Sequence, residues 1–268
     1  MGSANPGNTA PRLLATLLTG GGEPADLYCA EGSRLYEEIA AFDDSEGKEL
    51  VRCLLRTEGD ILELACGGGR LTLPLLALGR PVVGIDLSEE MIRILRARYD
   101  RLPRSRRRVA LMPLVADMRD FELDRRFGAI VLAATSISLL DRRGRQELFG
   151  SVKRHLAPGG RFFVTVHASA KSAGATSTRV VPISGDRPAV VLLSEVVDAD
   201  AYTREVTALR VTRGDGGALE VSAFASTVFL ISAAELDAEL VAAGLVHTGS
   251  IGVEGGDGAL RIAGYAAC

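Results

Sequence analysis

The densest chemistry in the chain is a set of acids at the ends of apolar runs, with a triple glycine between them. The first run is Asp60-Ile-Leu-Glu63-Leu-Ala-Cys-Gly67-Gly68-Gly69-Arg70, and the second is Arg80-Pro-Val-Val-Gly-Ile-Asp86. Ile61, Leu62, Leu64 and Ala65 form the near-continuous apolar stretch of a strand covered on both faces in a parallel sheet. Gly67, Gly68 and Gly69 permit backbone angles and a close ligand approach that a Cβ atom obstructs. The leucine-rich segment that follows reads as a helix whose first turn points N–H groups toward whatever occupies the loop. Asp86, about 20 residues downstream, stands where a carboxylate receives ribose hydroxyls. A dinucleotide site needs a third glycine in G-x-G-x-x-G, and Thr72 holds that position here. No Lys-Ser/Thr pair follows either, which weakens the nucleoside-triphosphate reading as well.

Positioning these residues is the task of the surrounding elements. Residues 1–24 are rich in Gly, Pro, Asn and Thr and are expected to form a flexible N-terminal segment, with the patch at Leu13, Leu14, Leu17 and Leu18 docking as a short helix. Residues 26–41 have helical periodicity and place Tyr28 and Tyr36 eight apart, nearly on one face; packing of that helix against the core is the plain alternative to any binding role. Glu46 to Arg56 reads as the helix leading into the first strand. Ser88 caps the helix after Asp86, and Met91 stands on that helix, where a methionine is ordinarily core filling. Ala110–Val115 and Gly128–Ala134 are the third and fourth strands. Thr135 and Ser136 then sit at the carboxyl edge of the sheet, where open α/β folds bind ligands; they are candidates to touch substrate or to cap the next helix. His155 reads as a surface or capping residue near the end of the helix 141–155. The fifth strand, from Arg161, ends on His167 at the ligand edge, which makes it the candidate proton acceptor or substrate-orienting group. Beyond residue 185 the pattern changes to three alternating, β-branched segments, 189–197, 202–212 and 218–230, read as antiparallel strands. Ser232-Ala-Ala-Glu235 opens the last helix with a capping box, and a hairpin of 245–251 and 259–266 closes the sheet.

With 268 residues, 47% hydrophobic and 24% charged, the chain suits one Rossmann-like domain with elaborations. A net charge of −3 offers no bulk attraction to nucleic acid. The eight arginines between Arg93 and Arg108 read as a solvated helix end and loop, because only Tyr99 is at hand for stacking; an acidic leader peptide is a second possible partner. Cys29, Cys53, Cys66 and Cys268 have neither disulfide-framework nor zinc spacing, so no metal is expected. No run approaches the roughly 20 apolar residues of a membrane span, and the start lacks a signal-peptide pattern. A soluble, cytoplasmic protein that binds neither membrane nor nucleic acid is the expectation.

Glu63-x-Ala65-x-Gly67-x-Gly69 and Asp86 resemble the first two motifs of class I S-adenosylmethionine-dependent methyltransferases, with alanine at the first glycine position. Val115-Ala-Asp117-Met118-Arg-Asp resembles the family's adenine-binding motif, and Leu156-Ala-Pro-Gly159-Gly160 the turn before its fifth strand. The resemblance covers roughly residues 55 to 170. It implies an α/β fold: a Rossmann-like seven-stranded methyltransferase sheet with an N-terminal helical lid and an antiparallel three-strand insertion after strand 5. In domain terms, the flexible residues 1–24 precede a methyltransferase domain at 25–268, with the insertion at 185–231 as acceptor roof or dimer contact. S-adenosylmethionine is the implied cofactor. The resemblance implies that Asp86 takes the ribose and that Asp117 accepts the exocyclic amine of adenine while the Met118 N–H meets the ring. It places Met91 beside the adenine, and Leu87, Glu63, Ala65, Gly67, Gly69 and Ala134 at the cofactor. Tyr28 would fold over it, with Tyr36 near the substrate.

Methyl transfer from a sulfonium is an in-line displacement in which charge diminishes, so alignment and exclusion of water dominate and no metal is required. An α-amine, with a pKa near 7.7–8.0, becomes an effective nucleophile on desolvation, and a single weak base such as His167 suffices for it. The Asp26-Leu-Tyr28 entry, the Glu63-to-Gly69 loop and the late insertion resemble the methyltransferases encoded with daptides, ribosomally made peptides with a modified amine terminus. That resemblance implies N,N-dimethylation of a peptide amine. Amino-sugar and other small-molecule methyltransferases are similar as well, and a cofactor-binding scaffold without turnover is the reading from a different class. The exposed edges of an inserted sheet favour a homodimer.

Overall fold

The computed structural model describes residues 9–40, 44–105, 107, 109–168, 175–184, 188–214, 216–253 and 260–267. Arg106 and Arg108 of the arginine run, residues 1–8 of the N-terminal segment and residues 185–187 at the expected start of the insertion lie outside that set. Along the chain run α1 (Ala10–Leu18), β1 (Ala25–Asp26), α2 (Ala30–Ala40), α3 (Ser45–Leu54), β2 (Ile61–Leu64), α4 (Thr72–Leu76), β3 (Val82–Asp86), α5 (Glu89–Asp100), β4 (Leu111–Val115) and β5 (Phe127–Leu132). They are followed by α6 (Arg142–His155), β6 (Leu156–His167), β7 (Thr176–Ile183), β8 (Ala189–Asp198), β9 (Thr203–Arg213), β10 (Leu219–Phe229), α7 (Ala233–Ala242), β11 (Leu245–Val253) and β12 (Leu260–Ala267). The chain divides into two compact units, residues 41–170 with 231–268, and residues 1–40 with 171–230.

The first unit holds a seven-stranded sheet in the order β11-β12-β6-β5-β2-β3-β4. β6, β5, β2, β3 and β4 are parallel neighbours, and β12 joins β6 antiparallel, the arrangement expected of the methyltransferase fold. All four residues of β2 are buried, as a central strand with both faces covered requires. Alternation along the strands divides the core in two. Leu62, Ile130, Phe162 and Val164 pack with α6 and α7 residues such as Phe149 and Leu236, while Ile61, Val131 and Phe163 pack with Leu50, Leu54 and Leu75 of α3 and α4. Across the first layer Arg145 of α6 forms a two-pronged pair with Glu239 of α7, at 2.7 and 2.8 Å, and also donates to the Leu140 carbonyl. The capping box of Ser232 and Glu235 opens α7 as its sequence indicates. In β6 the residues after Leu156 step out of register, because Phe127 faces Leu156 whereas Ala129 faces Arg161; the Pro158-Gly159-Gly160 turn is absorbed as an irregularity in the strand.

His155 corrects the sequence expectation of a surface residue. It is only 4% exposed; its Nδ1 bonds the Ser151 carbonyl at 2.8 Å, and its Nε2 accepts the Leu123 N–H at 3.0 Å. Those bonds define the neutral tautomer protonated at Nδ1. The ring stacks on Phe121 with centroids 4.5 Å apart, so its role is to satisfy a buried backbone donor.

The second unit is a five-stranded sheet ordered β1-β10-β9-β8-β7. Four antiparallel strands, not the expected three, make up the insertion, and it begins at Thr176. The extra strand β7 pairs along β8 from Thr176↔Val196 to Ile183↔Ala189. The segment expected as one helix from residue 26 first contributes β1, parallel to β10. Asp26 Oδ1 accepts both the Tyr28 N–H and the Ser226 hydroxyl, at 2.7 Å each, which turns the chain into α2. Gly32 is required in that helix, since a Cβ there would lie 2.5 Å from the Leu27 carbonyl oxygen. The leucine-bearing N-terminal segment forms α1, which packs Ala15 against Leu209 and Ala223 and joins Glu205 through Thr9 and Arg12.

Candidate active site

Three acids stand on, or just beyond, three adjacent strands of the seven-stranded sheet. Glu63 of β2 is in register with Gly84 of β3, Asp86 lies two residues further along β3 opposite Val115, and Asp117 follows β4 by two residues. Glu63, 3% exposed, shares the sheet face of Ile61 and Val131.

Between Glu63 and α4 the chain turns through left-handed backbone at Ala65, Gly67 and Gly69, with φ of 51°, 54° and 92°. Gly69 is favoured by its backbone angle, and a Cβ there would also press on the Leu95 side chain of α5, 2.4 Å from its Cδ1. Ala65 has no such freedom. An L-residue in this region carries a strain of about 1–2 kcal/mol, so the alanine at the first glycine position is tolerated rather than neutral. Asp86 fastens the turn: its Oδ2 accepts the Gly67 N–H and its Oδ1 the Ser88 N–H, both at 2.8 Å. From α5, Arg98 donates to the Gly68 carbonyl at 2.8 Å.

Leu87, next to Asp86, is 71% exposed and offers an apolar surface for a purine to cover. Met91 is buried; its N–H donates to the capping Ser88 hydroxyl, and its side chain is core. Asp117 is gripped by Arg119, whose Nε and Nη2 approach the carboxylate at 2.6–3.1 Å and whose N–H donates at 2.9 Å. The guanidinium holds the Asp117 carboxyl below the ordinary carboxylate range. Met118 packs on the α6 side of the core.

On the other side of β2, the end of β5 passes into two successive left-handed residues, Ala134 and Thr135, with φ of 53° and 54°. The Ala134 N–H donates to Glu46 Oε1 at 2.7 Å, and the second Glu46 oxygen pairs with Arg70 at 3.1 Å. Ser136 opens a short 3-10 turn, Ser136–Leu139. His167 is the last residue of β6, half-buried and in register with Leu260. It shares the face of Phe163, which registers with Val131 and, through it, with Glu63. At about 3.3 Å per residue His167 therefore stands roughly 13 Å beyond Glu63 toward the carboxyl edge. Tyr28 and Tyr36 belong to the five-stranded unit, where their ring centroids are 6.4 Å apart.

Sequence reasoning missed Glu46, Arg98 and Arg119. Glu46 looks like an ordinary first-turn acid of a helix; its burial and its bonds to Ala134 and Arg70 distinguish it from Glu49.

The parallel sheet, the left-handed glycine turn and the acids on β2, at the end of β3 and just after β4 match the fold of class I methyltransferases. Residues 61–160 match the methyltransferase domain family. Over 138 residues the chain is 32% identical to a dTDP-4-amino-2,3,4,6-tetradeoxy-D-glucose N,N-dimethyltransferase of Saccharopolyspora spinosa, covering 51% of each. It is 27% identical over 201 residues to a cypemycin N-terminal methyltransferase of a Streptomyces species, covering 74% of this chain and 76% of that one. The chain spans about half the length of two of the curated relatives it matches. Among solved structures, the glycopeptide N-methyltransferase MtfA complexed with S-adenosyl-L-homocysteine aligns with a TM-score of 0.68 and 25% identity, over 97% of this chain and 99% of that one.

Proposed function

We propose that this chain is an S-adenosylmethionine-dependent N-methyltransferase of natural-product biosynthesis that N,N-dimethylates the terminal amine of a ribosomally made, daptide-type peptide. The observation that carries the cofactor reading is the placement of Glu63 on β2, Asp86 at the end of β3 and Asp117 just after β4, on neighbouring strands around a left-handed glycine turn. Asp86 lies beside an exposed apolar leucine, and the Asp117 side chain retains 30% exposure, which suits a sugar and a purine side by side. Asp86 is assigned the ribose hydroxyls, Asp117 and the Met118 N–H the adenine, and Glu63 with Ala65, Gly67, Gly69 and Ala134 the remainder.

When bound, the cofactor supplies an electrophilic methyl group on a sulfonium. The chain's own part is alignment: the glycine turn and the loop after β5 border the place where an acceptor must meet that methyl. His167 takes the proton an ammonium must shed before its nitrogen lone pair can attack, and Thr135 and Ser136 orient the acceptor. The inserted sheet, with its open edge strand, serves as a homodimer contact. No helix among the described residues is long and apolar enough to cross a membrane.

The peptide acceptor rests on the similarity to the cypemycin N-terminal methyltransferase, the longer of the two curated alignments. The similarity to the amino-sugar N,N-dimethyltransferase supports the second reading, an amino-sugar acceptor. Incubating the protein with S-adenosylmethionine and, in parallel, a peptide with a free terminal amine and a nucleotide amino sugar separates the two by mass spectrometry. One or two methyl increments on the peptide alone support the proposal. Methylation of the sugar alone replaces it, and cofactor binding without product on any amine supports a scaffold.

A further inference from the structure

Glu46 is a buried carboxylate, 5% exposed, outside every motif that marks the cofactor site. It lies in the first turn of α3, and its two oxygens hold two separate pieces of the sheet's carboxyl edge. Oε1 receives the N–H of Ala134 at 2.7 Å, and Oε2 stands 3.1 Å from Nη2 of Arg70. The next residue, Gly47, lies close enough to the exit of the glycine turn that an added Cβ would be 3.2 Å from Leu71 Cδ2. Ala134 and Thr135 keep left-handed backbones, a conformation that persists in L-residues only where the surroundings impose it. A carboxylate on a backbone N–H is among the stronger restraints available for the purpose.

We propose that Glu46 is a positioning residue for the cofactor: it sets the Arg70 and Ala134 side of the site, the side that takes the amino-acid end of S-adenosylmethionine. This inference rests on the cofactor assignment made above. The strand order supports it. With ribose at Asp86 on β3 and adenine at Asp117 after β4, the rest of the molecule extends back over β2 toward β5, where Arg70 and Ala134 stand. Glu46 acts through those two residues and touches no reacting atom.

The test is calorimetric titration of the full chain with S-adenosylhomocysteine and with methylthioadenosine, which keeps the nucleoside and thioether but lacks the amino-acid end. Glu46→Gln preserves side-chain size and one oxygen for the Ala134 N–H, and it replaces the charge facing Arg70 by an amide. Glu46→Ala removes both bonds. Losing a bond to a charged group corresponds to roughly 10- to 100-fold in affinity, so the homocysteine ligand should weaken about tenfold in Glu46→Gln and further in Glu46→Ala, with methylthioadenosine unchanged. Hydrogen exchange at the Ala134 amide should quicken in Glu46→Ala and stay near wild type in Glu46→Gln, whatever the ligand. Equal weakening of both ligands would show a generally structural role and overturn the proposal, as would unchanged affinities. If Glu46→Ala fails to fold, Glu46→Gln decides. A wild-type protein that binds neither ligand overturns the cofactor assignment itself, whereas wild-type binding with unaffected variants overturns only the role of Glu46.

Discussion

Replacing Asp86 by Asn tests the claim that one carboxylate both fastens the glycine turn and receives the ribose. Its two oxygens each accept a backbone N–H at 2.8 Å, from Gly67 and from Ser88. Asparagine has one oxygen and one NH2, so one of those N–H groups would face a donor. A hydrogen bond to a charged group contributes about 1.5–3 kcal/mol, and the bond that survives in Asn weakens to the neutral value of about 1 kcal/mol. Because Asp86 is only half-buried, water can replace part of what is lost, and the lower end applies. The expected destabilisation is about 2 kcal/mol, a fall in Tm of roughly 4–8 °C for a domain of this size. It appears without any ligand, because the bonds are internal. Titration with S-adenosylhomocysteine should then show a further loss of roughly 10- to 100-fold in affinity, from the ribose contact. Thermal unfolding of ligand-free wild type and variant, followed by calorimetry, separates the two effects. A ligand-free Tm equal to that of wild type would refute the anchoring argument, and an unchanged ligand affinity would refute the ribose assignment.

Ala65→Gly should stabilise the protein. It removes about 1–2 kcal/mol of left-handed strain, set against about 0.5–1 kcal/mol for the extra freedom of glycine in the unfolded chain, so Tm rises by a few degrees. A fall in Tm would mean that the Ala65 methyl contact with the neighbouring core outweighs the strain. Arg119→Gln should release the Asp117 carboxyl from the guanidinium that holds its pKa down. A carboxyl whose folded pKa is depressed contributes stability above its unfolded value, about 3.9, and loses it as pH falls through the folded value. Wild type and Arg119→Gln should therefore differ in urea midpoint at neutral pH and converge below about pH 4. The solvent-exposed pair limits the difference, and curves that stay parallel across that window would refute the assignment.

What was legible in the sequence was local. A central parallel strand must be apolar on both faces, so β2 announces itself, and a turn that needs left-handed backbone leaves glycines; together these mark Glu63, Gly67, Gly69 and Asp86. The capping residues Ser88 and Ser232 are legible for the same reason, since a cap bonds within its own turn. Strand β7 hid because Thr176-Ser-Thr-Arg-Val-Val-Pro-Ile lacks a clean apolar alternation; β8 defines it by pairing along its whole length. His155 hid because its partner Leu123 is 32 residues away, and the Lys153-Arg154-His155 run mimics an exposed helix end.

Glu46 lies 88 residues from Ala134 and 24 from Arg70, and no spacing rule links positions so far apart. The division has a physical cause. Residues that shape the turn act through their own backbone angles, and composition records that. Residues that hold the turn in place act through distant partners, and only the folded chain brings those together. The same reasoning applies to the methyl acceptor. Thr135 and Ser136, the proposed acceptor contacts, follow β5 on a segment held by the bond between Glu46 and Ala134, and His167, the proposed base, ends β6. Acceptor choice should therefore respond to substitutions at supporting residues as well as at the residues that face the substrate.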